Sequence, residues 1–337
     1  MPPSDLPSFF HGTVFVSAGE PSADILAALF IRQILKTRSG LRFIGIGGPE
    51  MASAGVELIA DFRSMMSFGF SAAAQNAGGN LAMYRTIARE LYRSRPDIFM
   101  PVAYPGLNLP LCRYAHKLGI HTYFLLPPQI WAWGMFRKYF IKKWVDQAIS
   151  FFPFEHDHYC RLSIPCLLAD NPLADHLKTY TRTDNNKTIG FMPGSRPPEI
   201  KRNTPVIIRI MDQLKADYKT YRFITILREK VALPDTLNSI VYPGMRQRYQ
   251  AMKNCDFLIT CSGTASLEAA FMDIPQVFFN RPSLIDYHLV RPFLAIREYN
   301  LANLNFGDHR VLSHVSRNFH KLGEHIRSVL RYFSHPI

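Results

Sequence analysis

The chain has 337 residues, which at roughly 150 residues per domain predicts two domains and enough interior for a sizeable core. With 47% apolar and 19% charged residues, a disordered or fibrous chain is excluded. The 39 Lys and Arg against 26 Asp and Glu leave a net charge of +13, divided as +4 over residues 1–170 (16 basic, 12 acidic) and +9 over residues 171–337 (23 basic, 14 acidic). In chain order, residues 13–17 form an apolar run that predicts a strand ending in Ala18-Gly19-Glu20-Pro21-Ser22. Residues 24–35 have helical spacing, with Ile25, Leu29 and Leu35 near one face. Residues 41–46 read as a strand, 81–92 as a helix, 97–102 as a strand, 108–118 as a helix stopped by Gly119, and 121–126 as a strand. Residues 147–152 read as the last strand of this half.

A polar stretch, 179–187, marks a loop near a domain boundary. Beyond it, strands are predicted at 188–192, 222–227, 239–242, 256–260 and 276–279, and helices at 205–216, 247–253 and 265–272. Strands alternating with helices mean parallel pairing in doubly wound sheets, so the expectation is two α/β halves of similar size.

The basic balance favours an anionic partner: a phosphorylated ligand, nucleic acid or an anionic membrane face. The five cysteines (Cys112, Cys160, Cys166, Cys255, Cys261) are odd in number and form no CxxC pair. That argues against a disulfide framework and a structural zinc site and favours a reducing compartment. The first dozen residues contain Pro2, Pro3 and Pro7 and lack the long apolar core of a signal peptide. Stretches 64–84, 98–112 and 118–136 lack Asp, Glu, Lys and Arg, but glycines, amides or prolines break each of them, so no transmembrane helix is expected.

Chemistry concentrates at strand ends, where an open parallel sheet binds ligands. Strand 256–260 breaks into Cys261-Ser262-Gly263-Thr264-Ala265 and a helix carrying Glu268. Small residues at a helix start offer free backbone N–H groups and hydroxyls, which suit a phosphate, and Glu268 can accept from a ribose. The plain alternative is an ordinary helix N-terminus packed through small residues. Met192-Pro193-Gly194-Ser195-Arg196, followed by Glu199, is a second such turn. Gly194 frees the turn and Arg196 brings a forked, permanent charge. After the first strand, Glu20 and Asp24 are carboxylates able to handle a substrate hydroxyl, although Asp24 is also placed to cap the helix that follows. Gly45, Gly47 and Gly48 lack the GxGxxG spacing of a dinucleotide fingerprint. In 129–145 all three tryptophans (Trp131, Trp133, Trp144) lie among Arg137, Lys138, Lys142 and Lys143. That composition suits a membrane interface or single-stranded nucleic acid, and equally a basic amphipathic helix packed on the core. No metal-ligand spacing is present among the histidines, and no GxSxG elbow.

From Phe15 to Val329 the chain resembles the lipid-A-disaccharide synthases, bacterial glycosyltransferases of the GT-B fold. The resemblance rests on order and spacing together: Ser17-Ala18-Gly19-Glu20-Pro21-Ser22-Ala23-Asp24, then Gly45-Ile46-Gly47-Gly48-Pro49-Glu50-Met51, then Gln129-Ile130-Trp131-Ala132-Trp133. Phe152-Pro153-Phe154-Glu155 and Asn171-Pro172-Leu173-Ala174-Asp175 follow. Pro193-Gly194-Ser195-Arg196 with Glu199, Ser262-Gly263-Thr264-Ala265 with Leu267-Glu268, and Asn303 complete the set.

The resemblance implies two Rossmann-like domains facing across a cleft. Residues 1–178 would hold the lipid acceptor, 179–310 the UDP-sugar, and 311–337 would form a helix returning to the first domain. The implied reaction joins a diacylglucosamine from its UDP form to a diacylglucosamine 1-phosphate in lipid A biosynthesis. By family position Gly194, Ser195 and Arg196 face the diphosphate, Ser262, Gly263, Thr264 and Ala265 form the nest, Glu268 meets the ribose, and Asn303 lies on the nucleotide side. Arg196 and backbone N–H groups take the place of a metal, and no cofactor is implied. The implied setting is cytoplasmic and peripheral at the inner membrane, on an anionic surface and without nucleic acid.

The chain departs from the family at several points. The family's Asp-Ala-Pro-Asp-Phe-Asn is Ala103-Tyr104-Pro105-Gly106-Leu107-Asn108 here, so the candidate general base is absent, and Glu20 or Asp24 becomes the expected proton acceptor, Glu20 ahead of Asp24 because Asp24 is better placed as a helix cap. Gly-His-Pro has become Asp170-Asn171-Pro172, and the glycine of the first loop is Ala23. The resemblance also implies a C-terminal helical tail that helps build a homodimer, of which only a part is expected in these 337 residues. The alternative expectation is therefore a non-catalytic homologue that binds a nucleotide-sugar or lipid.

Overall fold

A computed structural model describes residues 11–66, 72–132, 134–194, 197–227, 231, 233–234, 237, 239–242, 244–281, 300–307, 311–315 and 326–327. The chain divides into two units, Met1–Leu173 and Ala174–Ile337.

The first unit opens with β1 (Thr13–Ala18), α1 (Pro21–Thr37), β2 (Arg42–Gly47), α2 (Pro49–Ser53), β3 (Glu57–Asp61) and α3 (Phe62–Met66). It continues with α4 (Ala72–Ser94), β4 (Ile98–Val102), α5 (Pro105–Lys117), β5 (His121–Leu125), α6 (Arg137–Trp144), β6 (Gln147–Ser150), α7 (Pro153–Arg161) and β7 (Cys166–Leu168). Helix α8 (Pro172–Lys178) spans the division between the units. The strands pair in parallel in the order β3-β2-β1-β4-β5-β6-β7. Strand β4 is buried at every residue and β1 at all but its first. Such continuous apolar runs are what a parallel sheet covered on both faces requires. One core layer joins Val14, Val16, Met100 and Val102 to Ala27, Phe30 and Ile34 of α1. The other joins Phe15 and Phe99 to Met83, Ile87 and Leu91 of α4 and to Leu111 of α5.

The second unit contains β8 (Thr188–Met192), α9 (Pro197–Asp217), β9 (Arg222–Leu227), β10 (Ser239–Val241) and α10 (Met245–Lys253). After these come β11 (Phe257–Thr260), α11 (Gly263–Phe271), β12 (Gln276–Asn280), α12 (Leu301–Phe306) and β13 (Leu312–Val315). Its sheet is also parallel, in the order β10-β9-β8-β11-β12-β13.

Three expectations are corrected here. Residues 147–152 do not end the first sheet, because β7 pairs beyond β6. Helix α1 starts at Pro21 rather than Asp24, since a proline in the first turn has no N–H to leave unsatisfied. The segment from 311 does not begin as a helix returning to the first domain: Leu312–Val315 is a strand paired with β12. Further on, Ile326 is packed in the second unit's core with Ile207, Leu214 and Phe257, and Arg327 lies 3.5 Å from Asp217 of α9. No described helix is long and apolar enough to cross a membrane.

In each sheet the order of strands reverses once, between β1 and β4 and between β8 and β11. Ligands of open α/β sheets bind outside the carboxyl ends of the strands at such a reversal. All the motifs singled out at 19–24, 103–108, 193–199 and 261–268 leave these four strands.

Candidate functional site

In the second unit, Thr260 of β11 pairs with Met192 of β8, which sets the two following turns side by side. The first turn passes Gly194 at φ +143°, and a side chain there would collide with Glu199, whose carboxyl group lies 2.7–2.8 Å from the Cβ position. Only glycine suits that backbone. Asn203, fully buried in α9, braces the turn by donating to the Pro193 carbonyl at 2.7 Å. The expected diphosphate ligands Ser195 and Arg196 lie outside the described residues. The second turn places Ser262 at the N-cap of α11 in an extended conformation, with no capping bond from its own side chain. Gly263, Thr264 and Ala265 form the first turn of that helix. The helix is held from behind: Gln276 donates to the Ser266 carbonyl at 2.8 Å and Asn300 to the Ser266 hydroxyl at 2.8 Å.

Glu268, one turn into α11, is buried in a double hydrogen bond from Arg248, both contacts at 2.8 Å, and also accepts from Tyr249 Oη at 2.9 Å. Burial pulls the Arg248 guanidinium toward the neutral form, and the Glu268 charge outweighs it, so its affinity for the proton is raised. The carboxylate is therefore fixed in direction and charge by α10. Asn303 is also engaged: its amide exchanges bonds with the Val311 backbone, donating to the carbonyl and accepting from the N–H at 2.9 Å each. It closes the loop that leads from α12 to β13. Arg248, Tyr249, Asn203 and Asn300 carried no sequence signal, because the partners that give them meaning lie far along the chain.

In the first unit, Ala18 of β1 pairs with Val102 of β4, so the 19–24 loop adjoins the turn at 103. Gly19 makes room for this: a side chain there would meet the Tyr104 ring at 3.0 Å. Glu20 is the N-cap residue of α1, partly exposed, and accepts from the Ser22 hydroxyl at 2.9 Å. Asp24 does cap a helix, but not its own. It is buried, and accepts from the backbone N–H groups of Gly48, Glu50 and Met51 at 2.7, 3.1 and 3.1 Å, thereby closing the N-terminus of α2. Burial raises its proton affinity and those N–H donors oppose the rise. Ala103 and Tyr104 both occupy the left-handed region, at φ +49° and +44°, where non-glycine residues are strained. Buried Asn108 secures them by donating to the Val102 and Ala103 carbonyls at 3.1 and 2.8 Å while accepting from Ser17 Oγ at 2.9 Å.

The aromatic and basic stretch splits in two. Trp131 is buried, Trp133 lies outside the described residues, and Trp144 ends α6. Helix α6 buries only Ile141 and exposes Tyr139 and Phe140, following exposed Phe136. Phe140 stacks on Trp144 at 4.9 Å between ring centres, with Arg113 over the Trp144 ring at 5.7 Å. Among the described residues no cluster of three His, Cys, Asp or Glu is arranged to hold a metal ion.

The chain matches the family model described as lipid-A-disaccharide synthetase over residues 14–322. It is 29% identical over 339 residues to the lipid-A-disaccharide synthase of Geobacter sulfurreducens, covering 96% of this chain and 88% of that one. It is 32% identical over 308 residues to lipid-A-disaccharide synthase 1 of Legionella pneumophila (Philadelphia 1), covering 86% and 80%. Among solved structures, it is similar to the UDP-GlcNAc 2-epimerase of Methanocaldococcus jannaschii in complex with UDP-GlcNAc and UDP, with a TM-score of 0.62, 12% identity and coverage of 94% and 92%. The calicheamicin glycosyltransferase CalG4 superimposes with a TM-score of 0.55 at 14% identity, covering 96% and 90%. These distant likenesses establish the fold as GT-B, and the matched family model with its sequence relatives shows that the chain belongs to the lipid-A-disaccharide synthase family.

Proposed function

We propose that the chain transfers a 2,3-diacylglucosamine unit from its UDP form to a 2,3-diacylglucosamine 1-phosphate and releases UDP. The observation that carries this reading, in a member of this family, is the pair of adjacent turns at the β8–β11 reversal, each opening a helix. A diphosphate leaving group needs positive charge that strengthens as the bond breaks, and such electrostatics are often the largest part of catalysis. Gly194, Ser195 and Arg196 are assigned to the diphosphate, and Ser262, Gly263, Thr264 and Ala265 to the nest around it. Glu268, held in direction by Arg248 and Tyr249, is assigned to the ribose hydroxyls. Asn303 supports the nucleotide side through the loop it closes.

In the reaction the acceptor hydroxyl attacks the anomeric carbon, the bond from that carbon to the diphosphate oxygen breaks, and UDP leaves with the electron pair. The hydroxyl proton goes to Glu20. That carboxylate is partly exposed beside the 103 turn, whereas Asp24 is engaged by three backbone donors and serves to position α2. Because both sugars carry acyl chains, the protein works attached to the inner membrane from the cytoplasmic side, with the exposed aromatic and basic surface of α6 against anionic lipid.

A single-turnover assay with the UDP-sugar and the lipid acceptor tests the reading. Transfer is expected in the parent, faster transfer in Ala103→Asp by up to about 10²–10⁴-fold, the usual worth of a general base, and none in Glu20→Ala with UDP binding intact. Absence of transfer in both parent and Ala103→Asp, with UDP bound, assigns the chain to sugar-nucleotide or lipid binding without catalysis.

A further inference from the structure

The motifs Gln129-Ile130-Trp131-Ala132-Trp133 and Phe152-Pro153-Phe154-Glu155 have no part in the nucleotide site, yet the fold brings them together. The segment after β5 begins with Leu126 at φ +53°, whose N–H donates to the Ile149 carbonyl of β6 at 2.9 Å. From there to Ala132 it is held on α7 at three points. Trp131 Nε1 donates to Glu155 Oε1 at 2.9 Å. Tyr159 Oη donates to the Pro128 carbonyl at 2.6 Å. The Trp131 and Phe154 rings meet edge to face at 4.9 Å. The other Glu155 oxygen, Oε2, accepts from Ser150 Oγ at 2.6 Å, and that hydroxyl in turn accepts from the Phe152 N–H at 3.1 Å.

We propose that Glu155 is a positioning residue for the lipid acceptor: through Trp131 it latches residues 127–132 in place at the carboxyl end of the first sheet, beside the turn at 103. The proposal rests on the acceptor binding in the first unit, as read above. The proximity is set by the ladder itself, since Ala103 N–H donates to the Leu125 carbonyl at the last residue of β5. The latched segment exposes Gln129 while burying Ile130 and Trp131, so it offers a polar group on an apolar base.

The latch responds to protons. Burial, opposed by the bonds from Ser150 and Trp131, raises the Glu155 pKa to about 7. Tyr159 from α7 and Cys166 from β7 face the same carboxyl group, and the pKa of each is raised by burial first and by the Glu155 charge second. When Glu155 takes a proton, its O–H donates to Ser150 Oγ and the serine hydroxyl turns to the Phe152 carbonyl, 3.4 Å away, while the Trp131 bond is kept. When it ionises, a buried charge is left that water would stabilise better, so opening becomes easier as pH rises.

The test is hydrogen exchange of residues 127–132 at pH 6 and pH 8, corrected for the chemical rate and compared with the amides of β4. It is paired with equilibrium binding of diacylglucosamine 1-phosphate in detergent and of UDP. In the parent, opening should rise about tenfold between the two pH values, from the separation of the closed and open proton affinities. Glu155→Gln, which keeps the volume without the charge, should hold the segment closed and independent of pH. Trp131→Phe should open it at both pH values and weaken the acceptor by about tenfold or more, the worth of one hydrogen bond to a charged group, with UDP unchanged. Exchange in Glu155→Gln that follows the parent at both pH values overturns the latch. Equal acceptor affinity in parent and Trp131→Phe, with the segment loosened, overturns the positioning role. A parent that binds no acceptor overturns both the role and the functional reading on which it rests, while the exchange comparison still judges the latch.

Discussion

Glu20 and Asp24 belong to one loop, and the fold uses them in opposite ways. Asp24 is surrounded by three backbone donors of a later helix, while Glu20 stays at the strand end with a single serine beside it. Sequence alone sets Asp24 apart only as a candidate cap for the helix that follows, because the donors at Gly48, Glu50 and Met51 come together only once β1 and β2 pair. Glu155 is a third carboxylate whose behaviour depends on burial, and it gives the clearest dependence on pH. Its pKa is about 7 folded against an ordinary value of 4.5. Between those values the folded chain holds a proton that the unfolded chain has released. Stability is therefore highest below pH 4.5 as far as this group is concerned, falls as pH rises, and stops falling above pH 7. The loss is on the order of 3 kcal/mol at most, at about 1.4 kcal/mol for each unit of pKa. Urea unfolding at pH 5 and pH 8 should show it, and Glu155→Gln should narrow the gap between the two curves.

At the scale of elements, the buried pair Arg248–Glu268 ties α10 to α11, with both side chains at most 5% exposed. Arg248→Met would leave the carboxylate buried without its cation and should destabilise the chain by about 3–5 kcal/mol, read from denaturant midpoints. Replacing both residues by apolar ones should recover most of that loss. Helix α6 makes a different prediction. Lys138, Lys142 and Lys143 lie among exposed Tyr139 and Phe140, and each cation near an anionic bilayer contributes about 1 kcal/mol. Flotation with anionic vesicles should retain the protein at low salt and release part of it at high salt, with Lys142→Glu/Lys143→Glu floating less. Equal recovery with neutral vesicles would remove lipid charge from the account. The long elements were legible because β1, β4, β8 and β11 are apolar runs between glycine and proline signals. The elements that were not legible are short or lie at a sheet edge. Helices α2 and α3 have five residues each, too few for a period, and β3 and β7 are edge strands that alternate little and bury little.

Across the whole molecule, the second half carries +9 of the net +13, and that is the half assigned to the diphosphate. Arg196→Ala should weaken UDP by about 1.5–3 kcal/mol, the value of a hydrogen bond to a charged group, measured by calorimetry. Unchanged affinity would remove Arg196 from the site. Both candidate regions could be placed from sequence because a doubly wound sheet puts the loops after its central strands at one end. Their internal wiring could not be, because Asn108, Asn203, Arg248 and Asn300 act on residues that are distant in the chain or on backbone carbonyls that no side-chain pattern announces.

The turn at Ala103 and Tyr104 has a consequence for which side chains the site can accept. Its left-handed backbone is held by Asn108, which bonds the Val102 and Ala103 carbonyls and is itself held by Ser17, so the grip is on main-chain atoms. The shape of the turn thus does not depend on a bond from the side chain at 103. Asp tolerates the left-handed region better than most residues, so a carboxylate can be placed at this spot without remaking the turn.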